Sequence, residues 1–196
     1  MADTQSRRLV LASASPRRSD LLTSAGLRFE VVPADIDETP HPGELPIDYV
    51  ARLSKEKAAA VTVSAADAVV IAADTTVAVD AAILEKPTDS DDARRMLGLL
   101  SARTHLVHTG VTVAQPAVET GGVTGIETIV ATTAVTFAEL SDADIDWYVG
   151  TGDWQGKAGG YGIQGAAGVF VTNVDGSVTN VIGLPLAETV ALLRQR

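Results

Sequence analysis

Two arginines stand where a helix would least favour them. Ser13-Ala14-Ser15-Pro16-Arg17-Arg18 leads from a short β-prone run into a helix that Ser15 would cap and Pro16 would open. A helix N-terminus already carries partial positive charge, so an exposed cation in its first turn opposes the macrodipole by about 0.3–1 kcal/mol. An anion at that end reverses the balance, because free N–H groups, two guanidinium forks and the serine hydroxyls then converge on phosphate oxygens. Two solvated arginines on an exposed turn remain the plainer reading. Asp74 ends the apolar run 68–73 and is followed by Thr75. Ligands collect at the carboxyl ends of strands in open α/β sheets, where a carboxylate can orient water or hold a cation. It can equally well cap a local turn. Glu38, in Ile36-Asp37-Glu38, is a candidate second carboxylate for magnesium, which takes one or two carboxylates plus phosphates and water; a solvated acidic loop explains it without metal. Lys57, Lys86 and Lys157 suit phosphate contacts, but no one of them marks a site alone. His105 and His108 fall in a predicted strand at an odd separation, so they face opposite ways and cannot form a two-histidine metal site.

The elements that must carry these residues follow from periodicity. A strand at 8–12 precedes a helix over about 16–25, with Leu21, Leu22 and Ala25 forming its buried stripe and Gly26 closing it. A second strand is expected at 29–33, then a proline-broken acidic loop reaching Asp48. Ile47, Val50, Ala51, Ser54 and Ala58 recur at helical spacing, so a helix over about 47–61 carries Lys57 near its end. Residues 68–73 read as a central strand covered on both faces, with further β-prone segments at 75–79 and 83–87. A helix follows at about 90–100, then long strands at 106–114 and 126–137 joined by a connection containing Gly121, Gly122 and Gly125. Ser141 caps a short helix ending at Gly150. Eight of the 17 glycines lie between Gly150 and Gly168, a density expected where backbone takes unusual dihedrals or approaches a ligand closely. Residues 169–174 and 178–182 read as a hairpin about Asp175-Gly176, and Pro185 opens the last helix. Strands alternating with helices, mixed with hairpins, predict an α/β fold with a mixed sheet.

Composition narrows the chemistry. The 196 residues are 46% apolar and 20% charged, which suits a single globular domain spanning 1–196. With 25 acidic and 15 basic residues the net charge is −10, against stable nucleic-acid binding and against an anionic membrane surface. A polyanionic substrate must therefore be attracted locally. The absence of cysteine excludes disulfides, thiolate metal ligands and a thiol nucleophile, and fits a reducing compartment. No apolar run approaches membrane-spanning length and the first residues lack a secretory h-region, so the expected location is the cytoplasm. Walker A, nucleophile-elbow and Rossmann patterns are absent from the sequence.

LASASPRRSDLL, IDE, the YVARLSKEKA helix, AADTTV, ILEKP, KAGGYGIQG and NVIGLPL occur in one order along nearly the whole chain. In that order they resemble the Maf family of nucleotide pyrophosphatases. The resemblance implies a mixed elongated sheet flanked by helices, with a deep cleft between two lobes, of the Maf/ITPase-like kind. It also implies hydrolysis of a nucleoside triphosphate to a monophosphate and pyrophosphate with a divalent cation, Mg²⁺ or Mn²⁺. Carried over by residue, it makes Asp74 the general base and a metal ligand with Glu38, and places Ser13, Arg18, Lys57 and Lys86 around the phosphates. Arg17, Thr75 and Gln164 match the positions that mark the branch preferring dTTP and UTP, and the Gln164 amide has the donor and acceptor needed to read a uracil or thymine edge. The nucleoside triphosphate is the expected partner, and a homodimer is compatible with the resemblance. A nucleotide-binding regulator of cell division without required turnover is the competing reading. Trp154-Gln155-Gly156 and the 115–125 connection receive no role.

Overall fold

The computed structural model describes residues 8–65, 67–116 and 123–195. Its centre is a seven-stranded sheet in the order β2-β1-β3-β5-β6-β7, with β4 paired to β3. The strands are β1 (Arg8–Leu11), β2 (Glu30–Val31), β3 (Ala68–Val79), β4 (Ala82–Leu84), β5 (Thr104–Pro116), β6 (Val123–Phe137) and β7 (Val171–Asp175). β1 runs parallel to β2 and β3, and all other pairs are antiparallel, so the sheet is mixed as expected. The helices are α1 (Pro16–Ser24), α2 (Pro46–Thr62), α3 (Ser90–Leu100), α4 (Asp142–Gly150), α5 (Val178–Ile182) and α6 (Leu186–Arg194).

β3 carries the sheet through the middle of the molecule. Its even-numbered residues Ala68, Val70 and Ala72 pack with Ala58 and Val61 of α2, while Val69, Ile71 and Ala73 pack with Leu21, Leu22, Leu192 and Leu193 of α1 and α6. Both faces of the strand are therefore covered, which is why it reads as an uninterrupted apolar run. Farther along, Val77 and Val79 enter a second cluster with α3, Tyr148 of α4 and Phe170.

Three expectations change. Asp74 does not end a strand, because β3 continues unbroken to Val79 with Asp74 opposite Gly110 in β5. What ends near Asp74 is the neighbour on the other side: β1 pairs with β3 only up to Leu11–Ile71, and β4 joins only at Val77. The residues between lie on an opened edge of the sheet, and that opening faces the cleft described below. The predicted hairpin is also replaced. β7 is a strand, but 178–182 form α5, because the Ser177 hydroxyl accepts the Asn180 backbone N–H at 3.2 Å and starts a helix instead. Asn180 is fully buried and donates from Nδ2 to the Val107 carbonyl and Thr133 Oγ1, both at 3.0 Å, which holds that helix on the sheet. The expected strand at 29–33 contracts to two residues, and most of the β5–β6 connection lies outside the described residues.

Candidate active site

Proline at the first position makes α1 begin sharply, and its first turn contains both arginines and no acidic residue. Arg18 is buried. Its Nε donates to the Gly183 carbonyl at 2.8 Å, Nη1 to Ser13 Oγ at 3.0 Å and Nη2 to Thr75 Oγ1 at 3.1 Å. One guanidinium thus ties the turn after β1, the opened part of β3 and the end of α5. Gly183 sits at φ 127°, a conformation that favours glycine; a Cβ there would lie at ordinary contact distance, 3.6 Å from Thr75 Oγ1 and 3.7 Å from Arg18 Nε, so the backbone angle rather than space calls for glycine. Burial lowers the Arg18 guanidinium from its ordinary value; Asp74 and Glu38 oppose that shift and Arg17 adds to it. The two remaining N–H positions on Arg18 are available to a ligand, since a guanidinium has five.

The carboxylates come from separate elements and meet at one lysine. Lys57 Nζ on α2 lies 2.6 Å from Asp74 Oδ1 and 2.7 Å from Glu38 Oε1. Lys86 Nζ lies 3.4 Å from Glu38 Oε2. The loop carrying Glu38 is held against α2: the Tyr49 hydroxyl donates to the Glu38 carbonyl at 2.9 Å, and Arg52 grips both carboxylate oxygens of Glu44, at 2.6 and 2.7 Å. That pairing holds the Glu44 carboxyl down at about 2. Burial alone would raise Glu38, yet Lys57 and Lys86 together hold its carboxyl below the usual value.

Two carboxylates converging on one cationic point fit the donor set of a magnesium or manganese ion completed by phosphate and water. Among the described residues no group of three or more His, Cys, Asp or Glu side chains could hold a metal. Glu38 and Asp74 are the two carboxylates that meet here and could hold such an ion. His105 and His108 take structural roles instead, His105 Nε2 pairing with the Tyr161 hydroxyl at 2.7 Å and His108 Nδ1 with Thr132 Oγ1 at 2.9 Å.

The glycine-rich segment builds the facing wall. Lys157 Nζ binds the Asp153 carboxylate at 2.8 Å and also donates to its carbonyl, and Asp153 Oδ2 accepts the Ala166 N–H at 3.1 Å. A Cβ on Gly162 would fall 2.7 Å from Lys157 Cε, and one on Gly165 would fall 2.0 Å from Asp153 Oδ2. Glycine at these positions lets the loop fold over its own ion pair.

Between the walls lies a cleft of about 480 Å³. Every residue singled out by chemistry or resemblance lines it: Ser13, Arg17, Arg18, Glu38, Lys57, Asp74, Thr75, Lys86 and Gln164. So do Gln155 and Gly156, which had received no role, and Lys157, which sequence could not separate from a solvated lysine. Tyr161, Val107 and Val181 add an apolar portion. Their only advance signal was membership in the KAGGYGIQG and NVIGLPL stretches or in a strand; a valine in a β-run carries no mark of a ligand site.

Residues 8–196 match the family model described as Maf-like protein. The chain belongs to the Maf-like family. A Maf-like relative from Anaeromyxobacter dehalogenans (strain 2CP-C), named dTTP/UTP pyrophosphatase, is 55% identical over 96% of this chain and 93% of its own length. Relatives with the same name from Myxococcus xanthus (strain DK1622) and Sphingopyxis alaskensis are 51% and 54% identical, covering 95% and 94% of this chain and 91% and 94% of their own lengths. The solved structure of a HAM1 protein from Coxiella burnetii aligns over 97% of this chain and all of its own, with a TM-score of 0.53 at 14% identity. That likeness shows the fold of the Maf-like chain alone.

Proposed function

We propose that this chain is a nucleoside triphosphate pyrophosphatase that hydrolyses dTTP and UTP, with the whole chain acting as one domain. Water adds to phosphorus at the α–β anhydride, the bridging oxygen leaves with pyrophosphate, and the water proton passes to Asp74. The observation that carries this reading is the Glu38–Lys57–Asp74 cluster set in one cleft with the start of α1. The relatives' common name supports it from outside the geometry. Ser13, Arg17 and Arg18 would bind phosphate oxygens at the helix N-terminus, where N–H groups and cations favour an anion. In the nucleotide-free arrangement Lys57 donates to Asp74 Oδ1, and during turnover Asp74 Oδ2 would accept from water. Glu38 and Asp74 would hold Mg²⁺ or Mn²⁺, which when bound offsets phosphate charge and polarises oxygen. Thr75 and Gln164 would orient the nucleotide, Gln164 reading the pyrimidine edge.

The reading places the enzyme in the cytoplasm, with its nucleotide as partner and a homodimer compatible with it. No helix among the described residues is long and apolar enough to cross a membrane. Pyrophosphate release is the direct test, measured with dTTP, UTP, CTP, ATP and GTP, with Mg²⁺ and with chelator. Turnover of dTTP and UTP that stops in chelator and returns with metal is expected. Folded protein that turns over none of the nucleotides would favour the regulatory alternative.

A further inference from the structure

Lys57 occupies an unusual position for a lysine beside a metal site. Its ammonium is within 2.7 Å of an oxygen from each of the two carboxylates offered as metal ligands. It is also enclosed, with the side chains of Lys57 and Asp74 only 8% and 10% exposed. Lys86, at 3.4 Å from Glu38, brings a second positive charge to the same pair. Two carboxylates are thus already balanced by two ammonium groups before any ligand arrives. A divalent cation entering this arrangement would meet the Lys57 ammonium at close range, on the enclosed Asp74 side of a pair whose other member, Glu38, is 39% exposed.

We infer that Lys57 is an internal cation that keeps Glu38 and Asp74 paired in the absence of nucleotide, so that the protein accepts its divalent ion together with the triphosphate rather than before it. The inference rests on the proposed reaction and adds an order of events to it. When the triphosphate binds, its oxygens give the ammonium of Lys57 a new partner, and the lysine swings from the carboxylates to the phosphates. The carboxylate oxygens it leaves then become available as ligands. Charge follows the same course, because the incoming polyanion replaces the compensation that Lys57 and the carboxylates gave one another. The lysine therefore has two successive partners, and the device prevents the two carboxylates from holding metal unproductively.

The test uses Mn²⁺ alone as probe, followed by electron paramagnetic resonance titration of nucleotide-free protein, with thermal melting as a check on folding. Lys57→Met removes the ammonium while keeping much of the side-chain volume; it should bind Mn²⁺ at least about tenfold more tightly than wild type, since charge repulsion at contact distance exceeds that factor. Lys57→Arg keeps the charge and should remain as weak as wild type. In wild type, a dTTP analogue with a non-hydrolysable α–β bridge should tighten Mn²⁺ binding after subtraction of the ion bound by free nucleotide. Equal Mn²⁺ affinity in folded Lys57→Met and wild type would overturn the inference. If Lys57→Met does not fold, wild type decides: nucleotide-free Mn²⁺ binding as tight as with the analogue overturns it, and weaker binding supports it. Wild-type dTTP turnover is scored separately, so failure of the reaction and failure of the ordering are distinguishable.

Discussion

Asp74→Asn keeps the shape of the side chain and removes its charge, and the surrounding contacts determine what that should cost. Removing one partner of a buried ion pair ordinarily costs about 3–5 kcal/mol, because the other charge is stranded. Lys57 is not stranded here: Glu38 remains at 2.7 Å, and an asparagine oxygen can accept the bond now made at 2.6 Å. The expected loss of stability is therefore nearer about 1–2 kcal/mol, the difference between a charge-assisted and an ordinary hydrogen bond. For a chain of this size that lowers Tm by about 2–8 °C, leaving the protein folded at 25 °C. Loss of the proton acceptor should lower kcat by at least about 10²-fold, equivalent to about 2.7 kcal/mol in the barrier. The assay is steady-state pyrophosphate release from dTTP at several Mg²⁺ concentrations, with calorimetric melting of the same preparation. Recovery of most of the rate at high Mg²⁺ would identify Asp74 chiefly as a metal ligand; no recovery would identify proton acceptance. A kcat within tenfold of wild type would refute both roles, and a Tm loss well beyond 10 °C would show that the position is structural.

The remaining predictions concern base choice, packing and pH. Gln164 is exposed and would be covered only by a bound base; Gln164→Ala should lower kcat/KM for UTP more than for GTP, because an amide matched to one base edge and covered by it leaves groups unpaired with another base, at about 1–3 kcal/mol per group; an unchanged UTP/GTP ratio would remove Gln164 from base reading. Gly110→Ala places a Cβ 2.2 Å from the Val50 carbonyl oxygen, a backbone atom of α2 that cannot rotate away. Overpacking of this kind costs about 1–3 kcal/mol, so Tm and kcat should fall together, and an unaltered Tm would show that α2 tolerates displacement. His105 is enclosed and burial lowers its imidazole from 6.5 to about 4. As pH falls from 6.5 the unfolded chain takes up a proton that the folded one refuses, so stability is lost progressively down to about pH 4, by at most about 3 kcal/mol. Urea unfolding at a series of pH values should show this slope in wild type and its loss in His105→Gln; an equal slope in the two would place the titration elsewhere.

Helices were legible where periodicity and end signals agreed. Pro16 and the Leu21–Leu22 stripe locate α1, and the Ile47–Ala58 spacing locates α2, within a residue or two of their observed limits. The stretch 178–182 misled because Val178, Thr179, Val181 and Ile182 are β-prone or β-branched, while the decisive groups were a serine cap and an asparagine whose partners, Val107 and Thr133, are distant in sequence. The site residues were legible as types and as a family order. Their junction was not, because the Lys57 bridge joins a loop, a helix and a strand whose proximity exists only in the folded sheet. Lys157 shows the same limit: its partner Asp153 is visible four residues away, but its place on the cleft wall depends on close backbone turns at Gly162 and Gly165.

The location of the proposed chemistry follows from two features of β3, one on each of its edges, that meet at Asp74. On one edge, β1 stops at the level of Ile71 and β4 begins at Val77, so the middle of the strand is free of a neighbour there. On the other edge Asp74 lies opposite Gly110, and residues directly opposite in an antiparallel pair share a face. With no side chain at Gly110, α2 descends onto the sheet until Val50 meets the strand backbone. Two turns farther along the same helix, Lys57 reaches Asp74 from a distance a lysine can span only because the helix lies so low. The opened edge gives access and the missing Cβ gives proximity. A carboxylate in an uninterrupted strand can thus be placed against both a ligand cleft and a buried cation, without the strand ending where its chemistry begins.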